Sequence, residues 1–247
     1  MISKSHTKYI QSLQHKKFRD ESGLFIAEGP RLVTELLAGG KFVCREVFAL
    51  ESWLKENAVL SAKHPSVIFE EVRDFELEKI SGLAVANAVL AVFEKREEGH
   101  LLNLEGKITL ALDKLQDPGN MGTIIRNADW FGVETILCSP DCADIYNPKV
   151  VQGTMGSLGR VRVIYTPLKD ILQDYSRIPK YAAALEGKPV GHLTNIKEAI
   201  LIIGNESKGI CTELMELADE KITIPGRGSA ESLNAAVACG IILSHFT

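Results

Sequence analysis

The chain reads as an α/β fold, with a mostly parallel sheet clad by helices and a smaller α/β domain before it. Three observations lead there. Six short apolar runs recur in the second part of the chain: ITLAL (108–112), ETILC (134–138), VRVI (161–164), YAAAL (181–185), AILII (199–203) and KITI (221–224). They have no polar alternation, so both faces of each strand are expected to be covered, as in a parallel sheet between helical layers. Several of these runs end in small or polar residues, and ligands of open α/β sheets sit beyond the carboxyl ends of the strands.

The first part alternates in the same way on a smaller scale. LFIA, PRLVTELLAGG, VCREVFAL, SWLKENAVL, VIFEEV, a charged helical piece and AVLAVFEK follow one another between Phe25 and Phe93. That is the rhythm of a small α/β unit. KREEGHLLNLEG is polar and contains glycine, so it reads as a linker. The expected division is a domain over 1–94, a linker over 95–106 and a second domain over 107–247.

Composition sets outer limits. The 247 residues are 45% apolar and 24% charged, ordinary for a globular chain. No apolar run reaches the roughly 18 residues that span a bilayer, and the N-terminus lacks a signal-peptide core. The five cysteines form no CxxC pair, which suits a reducing cytoplasm and packing roles. Net charge is −4, but residues 1–45 hold eight Lys/Arg against four Asp/Glu, whereas 46–105 hold six against twelve. The basic N-terminus is either a solvated helix or a nucleic-acid contact.

Three strand ends carry the chemistry. After ITLAL comes DKLQDPGNMGTIIRNADWFGV, where a Pro-Gly-Asn turn opens a helix with Met121, Ile124, Ile125 and Ala128 on its apolar face. Asn120 at its entrance reads as an N-cap or a site residue. Arg126, about one and a half turns on, reads as a surface charge or a phosphate grip. After AILII comes GNESKGICTEL, in which Gly204 permits close backbone approach, Glu206 is a strand-end carboxylate and Gly209 opens the next helix. After KITI comes IPGRGSAESLNAAVACGIIL, in which Ser232 is placed to cap the final helix and Asn234 falls in its first turn. The fingerprints GxGxxG and GxxxxGK[ST] are absent. Glycines between Ile224 and Leu233 suit a flat adenine held by backbone groups. No Cys/His set has metal-ligand spacing, so no metal is expected, and none of the six histidines falls within these stretches.

Together the three stretches resemble, in order and spacing, the motifs of the SpoU (TrmH-like) family of RNA ribose 2′-O-methyltransferases within the SPOUT superfamily. KKFRDESGLFIAEGPRLVTELL resembles the small substrate-binding domain that many members carry. The resemblance implies a C-terminal trefoil knot, S-adenosyl-L-methionine as cofactor, a homodimer, and methyl transfer to a ribose 2′-hydroxyl of RNA, ribosomal rather than transfer RNA. It assigns Asn120, Arg126, Glu206, Ser232 and Asn234 to the catalytic cluster. It gives the cofactor to backbone groups of Gly204, Ile224 and Leu233, and it suggests RNA phosphate contacts at Lys16, Lys17 and Arg19. One residue departs from the family, which usually has methionine at the position of Gly226. A fold-retaining RNA or nucleotide adaptor and another nucleotide-dependent α/β enzyme are the alternatives. Retention of all five polar residues argues against the first, and the missing phosphate loops against the second.

Overall fold

The computed structural model describes residues 2–96, 99, 103–193 and 195–247. The chain forms two compact units, Met1–Glu97 with Asp144–Arg160, and Glu98–Ala143 with Val161–Thr247. The stretch 144–160, expected in the second domain, packs with the first unit. Residues 97, 98 and 100–102 of the expected linker lie outside the described residues. Among the described residues no helix is long and apolar enough to cross a membrane.

The first unit contains α1 (Lys4–Ser12), α2 (Lys16–Ser22), β1 (Leu24–Glu28), α3 (Pro30–Gly39), β2 (Cys44–Ala49), α4 (Glu51–Glu56), α5 (Ala58–Ala62), β3 (Ile68–Glu71), α6 (Asp74–Ile80) and β4 (Val89–Glu94). Its sheet runs β1-β4-β2-β3, with β4 antiparallel to both neighbours and β2 parallel to β3. Ile10 and Leu13 from the N-terminal helix region pack with Leu77 and Ile80 of α6 over Ile26, Phe48 and Leu90. The stretch 144–160 earns its place through Tyr146, whose ring lies 4.8 Å from that of Phe25. The Tyr146 hydroxyl accepts a hydrogen bond from the Arg96 backbone N–H at 2.9 Å.

Arg19 corrects a sequence expectation. Its side chain is 1% exposed and cannot lie on RNA phosphates. The guanidinium donates to the carbonyls of Leu13 and Gln14 at 3.0 and 2.9 Å, and to Asp144 Oδ2 at 2.7 Å. It thus closes the turn between α1 and α2 and ties α2 to the 144–160 stretch. Arg19→Met leaves the Asp144 carboxylate, 13% exposed, without its partner. Removing one member of a buried pair typically costs about 3–5 kcal/mol. Chemical denaturation is expected to read a loss of that order, against no measurable change for Lys17→Met, whose pair with Glu21 is exposed.

The second unit contains β5 (Ile108–Leu112), α7 (Pro118–Trp130), β6 (Thr135–Cys138), β7 (Arg162–Tyr165), α9 (Leu168–Asp174), β8 (Lys180–Pro189), β9 (Ala199–Ile203), α10 (Thr212–Glu216), β10 (Glu220–Thr223) and α11 (Ala235–Phe246); α8 (Pro148–Thr154) belongs to the first. Its sheet runs β10-β8-β9-β5-β6-β7, and every pairing is parallel. All five residues of β9 are buried, as are four of five in β5. This is the covered central pair that continuous apolar runs predict. Met121, Ile124, Ile125 and Ala128 of α7 are fully buried. Asn127 Nδ2 donates to the Ala236 carbonyl at 2.8 Å, which joins α7 to α11.

Candidate active site

The parallel arrangement brings the carboxyl ends of β5 and β9 side by side, and the three motif stretches follow β5, β9 and β10. Asp117 of the first stretch opens its helix. Its carboxylate accepts from the Asn120 backbone N–H at 2.7 Å and caps α7, with Pro118 at the first helical position. Asn120 is therefore not the N-cap. It stands one turn inside, 8% exposed, with its carboxamide free to reach across to other strands.

Three polar side chains meet there. Asn234, rather than Ser232, caps α11, and its Oδ1 accepts from the backbone N–H groups of Ala236 and Val237 at 2.9 and 3.2 Å. That fixes which way the amide points, so its Nδ2 donates to Asn120 Oδ1 at 2.7 Å. Asn120 Nδ2 is in turn left to donate to Glu206 Oε1 at 2.9 Å. A helix cap thus sets the orientation of two amides and aims the second at a carboxylate.

The loop after β9 holds Glu206 in place. Asn205 and Gly209 bridge each other through both backbone bonds, at 3.0 and 2.9 Å. Asn205 Oδ1 accepts from the N–H groups of Ser207 and Lys208, while its Nδ2 donates to the Lys114 carbonyl at 2.8 Å. Gly209 therefore closes a tight loop instead of opening a helix; α10 starts later, after Cys211. Gly204 is required by the same loop, because a Cβ there would lie 2.2–2.5 Å from backbone atoms of Gly209 and Ile210. Buried Asp113 completes the frame by accepting from the Cys211 N–H at 2.7 Å.

Arg126 is exposed on α7 and, among the described residues, forms no hydrogen bond or ion pair. Ser232 is exposed and stands outside the amide chain. Ile224 is half-buried and Leu233 is 49% exposed. Among the described residues, 225–233 form no hydrogen bond within the chain. Their backbone groups are thus open to hydrogen bonds from a ligand. A Cβ at Gly226 or Gly228 would meet nothing within 4 Å, so the chain itself does not demand glycine at either position. Sequence reasoning missed Asp117, Asn205 and Asp113, although Asp before Pro-Gly and Asn after Gly are both turn and cap signals.

Beside the site, hydrogen bonding from Cys138 and then Ser139 outweighs burial and brings the Cys142 thiol down to about 7, whereas burial pushes Cys138 up. Cys142 also accepts from the Leu115 N–H at 3.3 Å, a structural tie for the loop after β5. A depression of about 300 Å³ opens elsewhere in the unit, lined by Lys107, Phe131, Glu134 and Phe246 among others. It lies toward the amino end of β5 and contains none of the candidate residues. Among the described residues no cluster of His, Cys, Asp and Glu could hold a metal ion.

Residues 107–244 match the model of the SpoU rRNA Methylase family. The chain belongs to that family. Residues 4–91 match the MRM3-like substrate binding domain, so both parts of this SpoU chain have counterparts. The chain is 29% identical to the 23S rRNA (guanosine(2553)-2′-O)-methyltransferase RlmP of Bacillus subtilis over 238 residues, covering 95% of this chain and 93% of that one. It is similar in structure to a TrmH-family protein from Porphyromonas gingivalis, with TM-score 0.88, 37% identity, and 100% and 98% of the two chains covered. An AdoMet-bound rRNA methyltransferase from Sinorhizobium meliloti gives TM-score 0.86 and 29% identity, covering 100% of this chain and 96% of that one.

Proposed function

We propose that this protein transfers a methyl group from S-adenosyl-L-methionine to a ribose 2′-hydroxyl of RNA, ribosomal RNA in preference to transfer RNA. The observation that carries the reading is the chain Asn234–Asn120–Glu206, drawn from three separate strand ends, with the exposed Arg126 on the same helix as Asn120. The relatives named for 23S rRNA methylation and crystallised with AdoMet support it.

The cofactor fits the loop that follows β10. Among the described residues the backbone groups of 225–233 have no partners in the chain, and Ile224 and Leu233 offer apolar surface on either side for an adenine ring. Gly204, Ile224 and Leu233 would hold the cofactor, which supplies a methyl already activated on a sulfonium. Asn120, Glu206, Ser232 and Asn234 would surround the ribose, where positioning alone contributes several kcal/mol to rate. Arg126 offers a planar guanidinium fork, so its role is to grip a phosphate and to stabilise charge developing on the 2′-oxygen. Lys16 and Lys17, 66% and 76% exposed, would contact phosphates from the first unit. The path from β9 to edge strand β10 and back to α11 beside α7 suits a trefoil knot, a rare topology. Incubating the protein with methyl-labelled cofactor and ribosomal RNA, then mapping 2′-O-methyl positions, tests the activity; label appearing on bases instead of ribose would refute it.

We also propose a cytoplasmic homodimer formed through α7 and α11. Half of α11 is buried in its own unit, through Ala235, Ala236, Cys239, Ile242, Leu243 and Phe246. Large apolar side chains stand exposed on and next to these helices, Val237 at 51%, Leu233 at 49% and Trp130 at the end of α7 at 84%, apolar surface that suits a second copy. Light scattering at micromolar concentration is expected to give twice the 27.1 kDa chain mass, and Trp130→Glu is expected to halve the observed mass. A Trp130→Glu protein that keeps the parental mass would remove α7 from the interface.

A further inference from the structure

The first unit exposes two aromatic side chains that its core does not explain. Residues 1–19 carry five Lys/Arg and no Asp or Glu. Two aromatic side chains stand on that stretch, Tyr9 at 39% and Phe18 at 41% exposure. Neither belongs to the hydrophobic cluster that α1 helps to form, which uses Ile10 and Leu13. Each is instead braced by one histidine. The Tyr9 ring lies 6.0 Å from that of His6, which is paired with Glu46 at 3.0 Å, and the Phe18 ring lies 6.4 Å from that of His15.

Helix α2 is built to hold this surface still. It buries one side chain, Arg19, and that single anchor grips the end of α1 and Asp144. Lys16, Lys17 and Phe18 consequently stand at the surface, with Lys17 Nζ 5.9 Å from the Phe18 centroid. The two lysines form exposed pairs with Asp20 at 2.6 Å and Glu21 at 3.9 Å, which a phosphate can displace at little cost. A helix that exposes a phenyl ring between cations offers the two things a single-stranded nucleic acid needs, a stacking platform and phosphate contacts. A duplex hides its base faces and offers only the second.

We propose that Tyr9 and Phe18 stack on unpaired bases of the RNA, with Lys8, Lys16 and Lys17 on the flanking phosphates, so that the first unit selects a single-stranded or looped segment. This rests on the RNA methyltransferase reading and extends it from phosphate contact to recognition of unpaired nucleotides. A polyanion is favoured over a protein partner by the excess of five Lys/Arg over Asp20 and Glu21 in residues 1–22, a local positive charge of the kind that draws phosphates.

The test uses the full chain and two labelled probes, an unstructured RNA oligonucleotide and a blunt RNA duplex of equal length, with affinity read by fluorescence anisotropy across a salt series. The parent is expected to prefer the single strand. Phe18→Ala and Tyr9→Ala are each expected to weaken single-strand binding about tenfold, the scale of one lost stacked base, while leaving duplex affinity and the salt slope unchanged. Phe18→Trp keeps a stacking face and is expected to retain parental affinity, which separates lost stacking from misfolding. Lys16→Gln with Lys17→Gln is expected to flatten the salt slope for both probes. Alanine variants that bind single strands like the parent, or that lose both probes equally, would overturn the proposal and leave the methyltransferase reading standing. A parent that binds S-adenosyl-L-methionine but neither RNA would overturn both.

Discussion

Arg126→Ala is expected to lower methyl transfer roughly 100-fold or more, the scale seen when one transition-state electrostatic group is removed, without loss of fold or of S-adenosyl-L-methionine affinity. The fold should not notice, because Arg126 is exposed and, among the described residues, has no hydrogen bond or ion pair to lose. Surface substitutions of that kind stay within about 0.5 kcal/mol. Cofactor affinity should also hold, because the proposed cofactor contacts come from backbone groups of the loops after β9 and β10. The loss should therefore fall on kcat. Arg126→Lys separates charge from geometry: an ammonium keeps the charge but cannot make the planar two-point grip, so intermediate activity is expected. Calorimetry with the cofactor alone, paired with single-turnover methylation, reads the two properties apart. A parental rate for Arg126→Ala would reduce the arginine to a solvated charge and remove this mechanism. Asn234→Ala should by contrast damage both properties, since it uncaps α11 and releases Asn120.

Gly204→Ala is expected to be the most damaging single-methyl change in the second unit. The new Cβ would sit 2.2 Å from the Gly209 carbonyl carbon and 2.3 Å from the Ile210 nitrogen. No side-chain rotation relieves a clash with backbone, so the Asn205–Gly209 bridge must open. Glu206 lies inside that loop and would move with it, taking away the carboxylate that Asn120 faces. Overpacking typically costs about 1–3 kcal/mol and occasionally more; with backbone as the obstacle, chemical denaturation is expected to read a loss at the upper end of that range together with failure to bind the cofactor. Gly226→Ala is the control. Its Cβ would meet nothing within 4 Å, so stability should stay at the parental value. A Gly204→Ala protein of parental stability would mean that the loop adopts another form in solution.

Particular residues mark how far sequence reasoning carries. ITLAL and AILII are β5 and β9 residue for residue, and the apolar face of α7 was readable as Met121, Ile124, Ile125 and Ala128. Covered strands and helix faces leave a period in the sequence itself, because every covered side chain must be apolar whatever covers it. The three site stretches were also readable, since turn, cap and carboxylate residues accumulated at strand ends where a plain connector needs fewer.

Partners were not readable. Asp117 rather than Asn120 caps α7, and Asn234 rather than Ser232 caps α11. Local composition permits either choice in both places. Arg19 looked like its neighbours Lys16 and Lys17, yet it is buried against a carboxylate 125 positions away. The stretch 144–160 follows β6 in sequence but packs with the first unit through Tyr146 and Arg19. The site itself joins residues 86 and 114 positions apart. The sequence alone determined which segments become covered strands and helices, because burial constrains each residue locally. Only the tertiary structure decided which amide faces which carboxylate, because strand order and a helix cap set those pairings and neither leaves a local signal.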